Sequence, residues 1–430
     1  MRLLAFEVLR DVAQTDAYAN LLLPHRIEGL KKRDAGFVTE LVYGTLRLQG
    51  RYDAMIDATA ARPDRLQPAL RIALRMGAHQ LTQMRQPARA AVNETVNVVS
   101  QVLGPAPVGL ANAVLRRIAE EPDWQGRIMA MPGGFAKWYS HPEWIISAFR
   151  QSLALEGRAS ELEALLDADN TPAPLTLVAR PGLAERPADH EPTRLSPYGY
   201  YTSGQPGRLP DVRAGRVGVQ DEGSQLIAQL AAQAPLAGRD ENWLDMCAGP
   251  GGKTALLGAL ARQRGAFVTA NEIQPHRAAL VERSVKAVAD AVEVVVDDGR
   301  RIGALAPGEF DRILLDAPCT GLGSLRRRPE ARWRRSVQDL ADLTELQREL
   351  IDSAVAALRP GGVLVYATCS PHPAETVTQV REAMRRHHLE LVPAPEELPQ
   401  VGEALPGAVQ LWPHSDRTDA MFGAVLRRAE

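Results

Sequence analysis

The sequence predicts a multidomain chain in which an all-α helical bundle precedes an α/β domain built on a doubly wound parallel sheet. Residues 1 to about 125 carry apolar residues at helical spacing, interrupted by the stretches ARPDRLQP, RQPAR and LGPAPVG. From about residue 240, short apolar runs of strand length alternate with helical stretches. Repeated strand–helix units are typical of parallel sheets covered by helices on both faces.

Chain length, cysteine count and the distribution of apolar residues limit the classes of protein to which the chain can belong. A chain of 430 residues has room for two or three domains. Its three cysteines are an odd number, which favours a reducing compartment over a disulfide framework. The chain has no apolar run of about 18 residues, and its start, MRLLAFEVLRDV, lacks the apolar core of a signal peptide. We therefore expect a cytoplasmic protein with no membrane span.

The first domain is predicted at residues 1–130 and consists of helices. Residues 1–140 hold 18 Lys and Arg against 13 Asp and Glu, an excess of five in a chain whose net charge is −2. This asymmetry slightly favours a polyanionic partner for the amino-terminal region.

The second predicted part, residues 131–235, is a linker and a small α+β subdomain. It opens with the sequence MPGG and continues with two helical stretches, HPEWIISAFRQSLA and ASELEALLDADN, and one strand, PLTLVAR. Residues 183–210 are rich in proline and are predicted as loop, and GRVGVQDEGSQLIAQLAAQ leads into a helix.

The third predicted part, residues 236–430, is the α/β domain. Its five predicted strands are NWLDM, AFVTAN, VEVVV, RILLDA and GGVLVYAT. A doubly wound sheet in the order 3-2-1-4-5 binds its ligands outside the carboxyl ends of the strands.

A glycine-rich loop, LDMCAGPGGKT, follows the first of these strands and opens a helix. A phosphate-cradling loop of the form G-x-x-x-x-G-K-[ST] would need glycine at position 247, where Cys247 stands. The dinucleotide pattern G-x-G-x-x-G fails because Thr254 occupies its last position. Neither phosphate-binding pattern matches, so the glycines are predicted to form a tight turn that follows Asp245. The carboxylate of Asp245 suits a ligand that has an amine group.

Acids also end the next two strands. Glu272 follows the second strand, 20 residues after Gly252, at the distance where an acid accepts hydrogen bonds from ribose hydroxyls. Asp298 follows the third strand, with Asp297 as its rival. S-adenosylmethionine carries an amino acid, a ribose and an adenine but no phosphate, so we predict it as the cofactor. The alternative is that the glycines only form a turn.

Two cysteines follow the last two strands. Asp316 and Cys319 end the fourth strand and Cys369 ends the fifth. In the 3-2-1-4-5 order these strands are neighbours about 5 Å apart, so both thiols should lie at the ligand-binding edge. A single cysteine is more often a small buried apolar residue. Two at adjacent strand ends favour a chemical role.

Methylation of cytosine at carbon 5 would use such a pair. Carbon 5 is a poor nucleophile until a thiolate adds to carbon 6, and the adduct must later lose the carbon 5 proton and expel the thiol. One cysteine can attack while another group assists release. An acid near nitrogen 3 helps as charge builds there, and Asp316 is placed for that role.

The motifs together resemble the Nop/Sun family of RNA cytosine-5 methyltransferases. The resemblance is carried by LDMCAGPGGKT, NEIQPHR, DDGR, LLDAPCTGLG, RRRPEARW and YATCSPHPAE. The amino-terminal FVTELVYGTLR and LANAVLRRI are similar to a NusB-type RNA-binding domain, as in the bacterial group of small-subunit ribosomal RNA methyltransferase B. The resemblance implies a NusB-like bundle and a Rossmann-like methyltransferase domain dependent on S-adenosylmethionine. Its implied partner is small-subunit (16S) ribosomal RNA.

The resemblance also implies roles for individual residues. Cys369 would be the nucleophile, and Cys319 would promote product release. The implied cofactor contacts are Cys247, Ala248, Gly249, Pro250, Gly251, Gly252, Lys253, Glu272, Asp298 and Asp316. This chain departs from the family at Gly249 and at Ala420-Met421, where Ala and Gly-Phe are usual.

A basic stretch, SLRRRPEARWRR, lies directly after Cys319. Arginines and a tryptophan can hold phosphates and stack a base. The predicted RNA-binding residues are Arg326, Arg327, Arg328, Arg332 and Trp333, and the alternative is a solvated basic loop. We expect a monomer without a metal. Methylation of tRNA and a non-catalytic RNA-binding or ribosome assembly role remain the alternative functions.

Overall fold

The computed structural model of the chain describes residues 1–15, 17–84 and 86–429. The fold divides into two units. The helical unit comprises Met1–Ser147, Leu166–Pro172 and Leu325–Arg334, and the sheet unit comprises Ala148–Leu165, Ala173–Ser324 and Arg335–Glu430. The division into residues 1–130, 131–235 and 236–430 remains a prediction.

The described part of the helical unit is all-α, as the sequence predicts. Its amphipathic helices bury one apolar core, which includes Phe6, Tyr52, Met55 and Leu115. The helices are α1 (Arg2–Gln14), α2 (Ala19–Arg26), α3 (Lys32–Arg47), α4 (Gln49–Thr59), α5 (Pro68–Thr82), α6 (Ala88–Leu103), α7 (Val108–Glu120), α8 (Trp124–Met129) and α9 (Gly134–Tyr139). Two further helices, α10 (Glu143–Leu155) and α11 (Leu162–Asp169), contribute residues to both units.

The sheet unit holds all of the strands in the described part of the chain. They are β1 (Leu175–Ala179), β2 (Gly199–Thr202), β3 (Val217–Val219), β4 (Asn242–Asp245), β5 (Phe267–Asn271), β6 (Val292–Val295), β7 (Phe310–Asp316), β8 (Leu358–Thr368), β9 (Leu389–Val392), β10 (Val409–Gln410) and β11 (Phe422–Arg428). The remaining helices are α12 (Pro210–Ala214), α13 (Glu222–Gln233), α14 (Gly252–Arg264), α15 (Pro275–Val285), α16 (Gly299–Leu305), α17 (Ala331–Arg334, in the helical unit), α18 (Val337–Ala357), α19 (Val377–His387) and α20 (Pro413–Asp416).

The main sheet confirms the predicted doubly wound topology. Its order is β10-β11-β8-β7-β4-β5-β6, with β9 paired to β11. The five predicted strands β4 to β8 are parallel and follow the order 3-2-1-4-5. Such strands are buried on both faces and read as continuous apolar runs, which is why the sequence revealed them.

Most antiparallel strands of the sheet unit were not revealed by the sequence. β11 pairs with β8 and extends the parallel sheet at one side. A separate three-stranded antiparallel sheet has the order β2-β1-β3. Its central strand β1 was predicted, but β2 and β3 have only four and three residues. Short strands within loop-like sequence carry too few residues to show a period of two.

Candidate active site

The carboxyl ends of β4, β5, β7 and β8 lie at one edge of the sheet. Met246 donates its backbone N–H to the Leu314 carbonyl, Ala317 donates to the Ala367 carbonyl, and Ala248 donates to the Asn271 carbonyl. These hydrogen bonds continue the strand pairing into the loops. The loops that carry the predicted site residues therefore start from neighbouring points.

The glycine-rich loop makes a tight turn between β4 and α14. Gly251 has φ +101°, and a Cβ at this position would lie 2.7 Å from Ser284 Cβ. Only glycine therefore lets α14 begin this close to α15. A Cβ at Gly249 would lie 2.1 Å from Glu272 Oε2. The loop thus lies directly against the acid that follows β5.

Glu272, predicted as a cofactor-binding acid, lies directly against the glycine-rich loop. Its side chain is buried, and its Oε2 accepts a hydrogen bond from the Gly249 N–H at 3.1 Å. Its Oε1 accepts from the Gln274 N–H at 3.0 Å, and Arg277 lies 3.6 Å away. The carboxylate is fixed in the loop at the edge of the sheet.

The two acids after β6 have different surroundings. Asp298 caps α16 by accepting from the Arg300 N–H at 3.0 Å. The Arg300 guanidinium, 2.6 Å away, holds the pKa of Asp298 below its ordinary value. Asp297 accepts from the Asp298 N–H at 2.7 Å and donates its own N–H to Asn271 Oδ1 at 3.0 Å. Both acids remain candidates for a contact to adenine.

Asp245 carries a buried oxygen without a partner. Thr254 Oγ1 donates to Asp245 Oδ2 at 2.7 Å, whereas Oδ1 has no hydrogen-bond partner among the described residues. Burial raises the pKa of Asp245 to about 7, although the Thr254 hydrogen bond opposes this. An ammonium or other N–H donor at this edge would satisfy Oδ1.

Cys247 is not suited to nucleophilic attack. Removal from water raises the pKa of its thiol, and the Asp245, Asp316 and Glu272 carboxylates raise it further. The thiol form therefore dominates at neutral pH, and the thiolate is the reactive form of cysteine. Its place in the glycine-rich loop is consistent with a contact to a ligand.

The other two cysteines are in contact. Cys319 Sγ lies 3.4 Å from Cys369 Sγ, at the ends of the paired strands β7 and β8. The hydrogen bond to Cys369, followed by burial and the Glu375 and Asp316 charges, raises the pKa of Cys319 well above its ordinary value. The raised pKa favours the thiol form of Cys319, and either sulfur can be the donor in this contact.

Lys253, at the end of the glycine-rich loop, interacts with Asp316 and with Cys369. Its Nζ lies 2.7 Å from Asp316 Oδ2. Burial alone would lower the pKa of Lys253, but the Asp316 carboxylate and the Cys369 sulfur raise it. A stable ammonium thus stands beside Asp316 and close enough to Cys369 to interact with it.

The structure adds three residues that the sequence analysis did not single out. Glu375, Gln347 and Thr320 form a buried hydrogen-bond cluster next to Cys319. The one sequence signal for Glu375 is its place at the end of the motif YATCSPHPAE. Thr320 likewise stands in the motif LLDAPCTGLG, whereas Gln347 lies outside the quoted motifs and gives no signal, because its role depends on contacts made through the fold.

The predicted RNA-binding residues lie in the segment 325–334, which belongs to the helical unit. Arg328 is exposed, with its guanidinium 5.9 Å from the Tyr18 ring centre. Trp333 is 39% exposed, and Arg327 is partly exposed. Arg326 is buried. The segment therefore presents only some of these side chains at its surface.

Arg332 corrects the prediction of an RNA-binding side chain. It is fully buried, and its guanidinium donates to the carbonyls of Arg47 at 2.7 Å and Asp169 at 2.8 Å. It also donates to the Ser140 carbonyl at 3.2 Å and to Asn170 Oδ1 at 2.8 Å. A guanidinium used in this way cannot reach RNA. It fixes the segment 325–334 within the helical unit.

We expect Arg332→Ala to lower the free energy of unfolding by about 3–5 kcal/mol, because several buried acceptors lose their donor. Arg335→Ala is the matched control, since Arg335 forms a half-exposed ion pair at 3.7 Å with Asp339. The control should change stability by less than about 1 kcal/mol. Urea unfolding measures both, and equal effects would contradict the structural role of Arg332.

Two absences concern the described residues only. Across residues 1–15, 17–84 and 86–429, no three His, Cys, Asp or Glu side chains are grouped so that they could hold a metal ion. Over the same ranges, no helix combines the length and apolarity needed to cross a membrane.

Comparisons with known proteins match both parts of the chain. Residues 234–427 match the family model of the 16S rRNA methyltransferase RsmB/F, and residues 1–120 match the NusB family. Rv1407 of Mycobacterium tuberculosis, named as a methyltransferase, is 48% identical over 99% of this chain and 95% of the relative. The ribosomal RNA small subunit methyltransferase B of Vibrio cholerae is 32% identical over 100% of this chain and 97% of the relative. The ribosomal RNA small subunit methyltransferase B of Erwinia tasmaniensis is 31% identical over 99% of this chain and 98% of the relative.

Two solved structures share the fold. The crystal structure of PH0851 superposes with a TM-score of 0.81 at 23% identity, covering 98% of this chain and 97% of the other. NSun6 from Pyrococcus horikoshii with SFG superposes with a TM-score of 0.57 at 20% identity. That match covers 66% of this chain and 98% of NSun6.

Proposed function

This chain belongs to the RsmB/F family of rRNA methyltransferases, with a NusB domain at its amino terminus, and on that basis we propose that it methylates carbon 5 of a cytosine in 16S ribosomal RNA. The methyl donor is S-adenosylmethionine, and the reaction proceeds through a covalent adduct between Cys369 and carbon 6 of the base. The observation that carries this proposal is the pair of thiols 3.4 Å apart at adjacent strand ends.

Attack begins at Cys369. Its thiolate adds to carbon 6 of cytosine, which forms a carbon–sulfur bond and moves the electrons of the 5,6 double bond toward carbon 5. The Lys253 ammonium and the Cys319 S–H both stand beside Cys369 and favour the thiolate. The base is then activated at the carbon that receives the methyl group.

Asp316 and Lys253 stabilise the charge that develops on the pyrimidine ring. Negative charge builds at nitrogen 3 as the thiolate adds, and a proton or hydrogen bond at that atom stabilises it. Lys253 Nζ donates to Asp316 Oδ2 at 2.7 Å, which holds an ammonium N–H donor beside this carboxylate. Loss of either residue should therefore slow attack.

Cys319 completes the reaction by taking the carbon 5 proton after methylation. The carbon–sulfur bond to Cys369 then breaks, and the 5,6 double bond forms again. In the free protein the hydrogen bond to Cys369 is the largest cause of the raised pKa of Cys319. Once Cys369 is bound to carbon 6, its sulfur is a thioether and this hydrogen bond no longer opposes ionisation of Cys319. Cys319 acts as a thiolate after releasing its own proton to solvent, and it ends the step as a thiol that holds the carbon 5 proton.

The residues around the glycine-rich loop fit S-adenosylmethionine. The unpartnered Asp245 Oδ1 suits the amino group, and the buried Glu272 carboxylate suits the ribose hydroxyls. Residues Cys247 to Lys253 would surround the amino-acid part, and Asp298 or Asp297 the adenine. When bound, the cofactor supplies an electrophilic methyl group next to the thiols.

The helical unit would supply RNA affinity. Its sequence carries the basic excess, and the segment 325–334 presents Arg328 and Trp333 at its surface. We propose that these side chains, with Arg327, contact the RNA, whereas the buried Arg326 does not. A cytoplasmic, monomeric and metal-free enzyme remains part of the proposal.

The function is tested with RNA from a strain that lacks the gene. Protein, labelled S-adenosylmethionine and either free 16S rRNA or small subunits should give label at one cytosine, and bisulfite sequencing should locate it. Label confined to tRNA would favour the tRNA alternative. RNA binding without label on any RNA would favour the non-catalytic alternative and contradict this proposal.

Cofactor binding is tested at Glu272. We expect Glu272→Ala to weaken S-adenosylmethionine binding at least about tenfold, or 1.4 kcal/mol, because a buried acceptor for the ribose hydroxyls is lost. Titration calorimetry measures the affinity. Glu293→Ala is the matched control, since Glu293 lies exposed on the neighbouring strand β6. An unchanged affinity in Glu272→Ala would remove Glu272 from the cofactor site.

A further inference from the structure

Cys319 is held in place by a buried carboxylate that is not part of the reaction described above. We propose that Glu375, together with Gln347, is a positioning residue that keeps the Cys319 thiol beside Cys369 and thereby sets the rate at which the covalent RNA adduct is released. The inference rests on the proposed function. The cluster of Glu375, Gln347 and Thr320 is called the Glu375 clamp below.

The clamp forms hydrogen bonds with the residues on both sides of Cys319. Glu375 Oε1 accepts from the Thr320 N–H at 2.8 Å, and Oε2 accepts from Thr320 Oγ1 at 2.5 Å. Gln347 Nε2, on α18, donates to Glu375 Oε1 at 3.1 Å and to the Pro318 carbonyl at 2.8 Å. Residues 318 and 320 are both fixed, so the position of the sulfur between them is fixed as well.

The same glutamate is anchored to the strand that carries Cys369. Its carbonyl accepts from the Tyr366 hydroxyl of β8 at 2.8 Å. Thr320 Oγ1 lies 3.1 Å from Ser370 Oγ, and the Gly323 N–H donates to the Cys369 carbonyl at 2.8 Å. The turn after β7 and the turn after β8 are therefore tied to one another, which keeps the two sulfurs at 3.4 Å.

Burial of the Glu375 carboxylate destabilises the fold unless hydrogen bonds or other interactions offset the loss of hydration. Glu375 is fully buried, and its carboxylate oxygens accept hydrogen bonds from Thr320 and Gln347. These hydrogen bonds offset the loss of water around the carboxylate. Its charge also contributes, after the Cys369 hydrogen bond and burial, to the raised pKa of Cys319. A group that only filled space would not need a charge.

The contacts of the clamp determine which step it affects. The side chains of Glu375 and Gln347 bind the backbone on either side of Cys319, but none of their hydrogen bonds reaches Cys369. Attack by Cys369 should therefore survive loss of Glu375 or Gln347. Loss of the Thr320 hydroxyl also removes its 3.1 Å contact with Ser370, but it removes no contact with Cys369 itself. Removal of the carbon 5 proton depends on the position of Cys319 and should become slow.

The test uses Glu375→Gln, Gln347→Leu and Thr320→Val in the full-length protein, with 16S rRNA and S-adenosylmethionine. We expect multiple-turnover methylation to fall roughly tenfold to a hundredfold, the scale of misplacing a reacting group by about 1 Å. Methyl transfer in a single turnover should stay within about threefold of the unaltered protein, a factor worth about 0.7 kcal/mol. A covalent protein–RNA band should accumulate on a denaturing gel. Thr320→Ser keeps both donors and should accumulate less of this band than Thr320→Val.

Gln379→Leu is the matched control. Gln379 is also a buried glutamine, and its Nε2 donates to the Thr344 carbonyl of α18 at 2.9 Å. It lies outside the clamp, so its replacement should not produce the covalent band. Thermal melting of every variant shows whether it is folded, and the three clamp variants act through different atoms, so failure of one to fold leaves the test intact.

Two results would overturn the inference. One is normal multiple turnover in the folded clamp variants. The other is equal loss of single and multiple turnover without a covalent band, which would make the clamp a support of Cys369 or of the fold. RNA containing 5-fluorocytidine separates these from failure of the proposed function, because its carbon 5 carries no proton to remove. If the unaltered protein forms no adduct with that RNA, the covalent mechanism itself is wrong.

Discussion

Cys369→Ala is expected to abolish methylation and to form no covalent complex with RNA. Without a thiolate to add to carbon 6, carbon 5 stays unreactive, and loss of the nucleophile should cost on the order of 10⁴-fold or more in rate. Transfer of labelled methyl groups to 16S rRNA measures the first effect, and a denaturing gel measures the second. Calorimetry with S-adenosylmethionine should give an unchanged affinity, which shows that the variant is folded.

Persistent methylation by Cys369→Ala would move the nucleophile elsewhere. A covalent band in this variant, absent when Cys319 is also replaced, would make Cys319 the attacking thiol. Cys319 would then need a low pKa, whereas its contact with Cys369 and its burial raise it.

Cys319→Ala is expected to attack RNA normally and then to stall. Cys369 can still add to carbon 6 and the methyl group can still be transferred, but the carbon 5 proton loses its acceptor 3.4 Å from the attacking sulfur. An RNA-dependent, slowly migrating band should accumulate on a denaturing gel while multiple turnover falls at least about a hundredfold, the lower end of what one acid–base group contributes. Mass spectrometry after nuclease digestion should place the nucleotide on Cys369.

The variant with both cysteines replaced is the control for this result, and it should lose the band. Normal turnover by Cys319→Ala without a band would show that another group removes the proton. Normal turnover in both single variants would leave the thiols as packing residues only.

Much of the sheet unit could be predicted from the sequence because its signals are local. The buried parallel strands read as apolar runs, and the loop LDMCAGPGGKT follows one of them directly. Since parallel strands end at the same edge, the order of the runs alone was enough to bring Cys319 and Cys369 together. The structure agrees, with Sγ atoms 3.4 Å apart. The short antiparallel strands β2, β3 and β10 left no such signal.

The sequence by itself therefore determined the two fold types, the glycine turn and the pairing of the thiols. Only the tertiary structure decided the role of polar side chains whose partners lie far away along the chain. Arg332 was predicted to face RNA, but its acceptors include the carbonyl of Arg47, 285 residues away, and together they bury it. The only sequence signal for Glu375 was its place in the motif YATCSPHPAE, which did not show its role, because its partners Gln347 and Thr320 lie 28 and 55 residues away. The identity of a polar residue shows which hydrogen bonds it can make. Its neighbours in the folded chain decide whether it meets water, RNA or the protein interior.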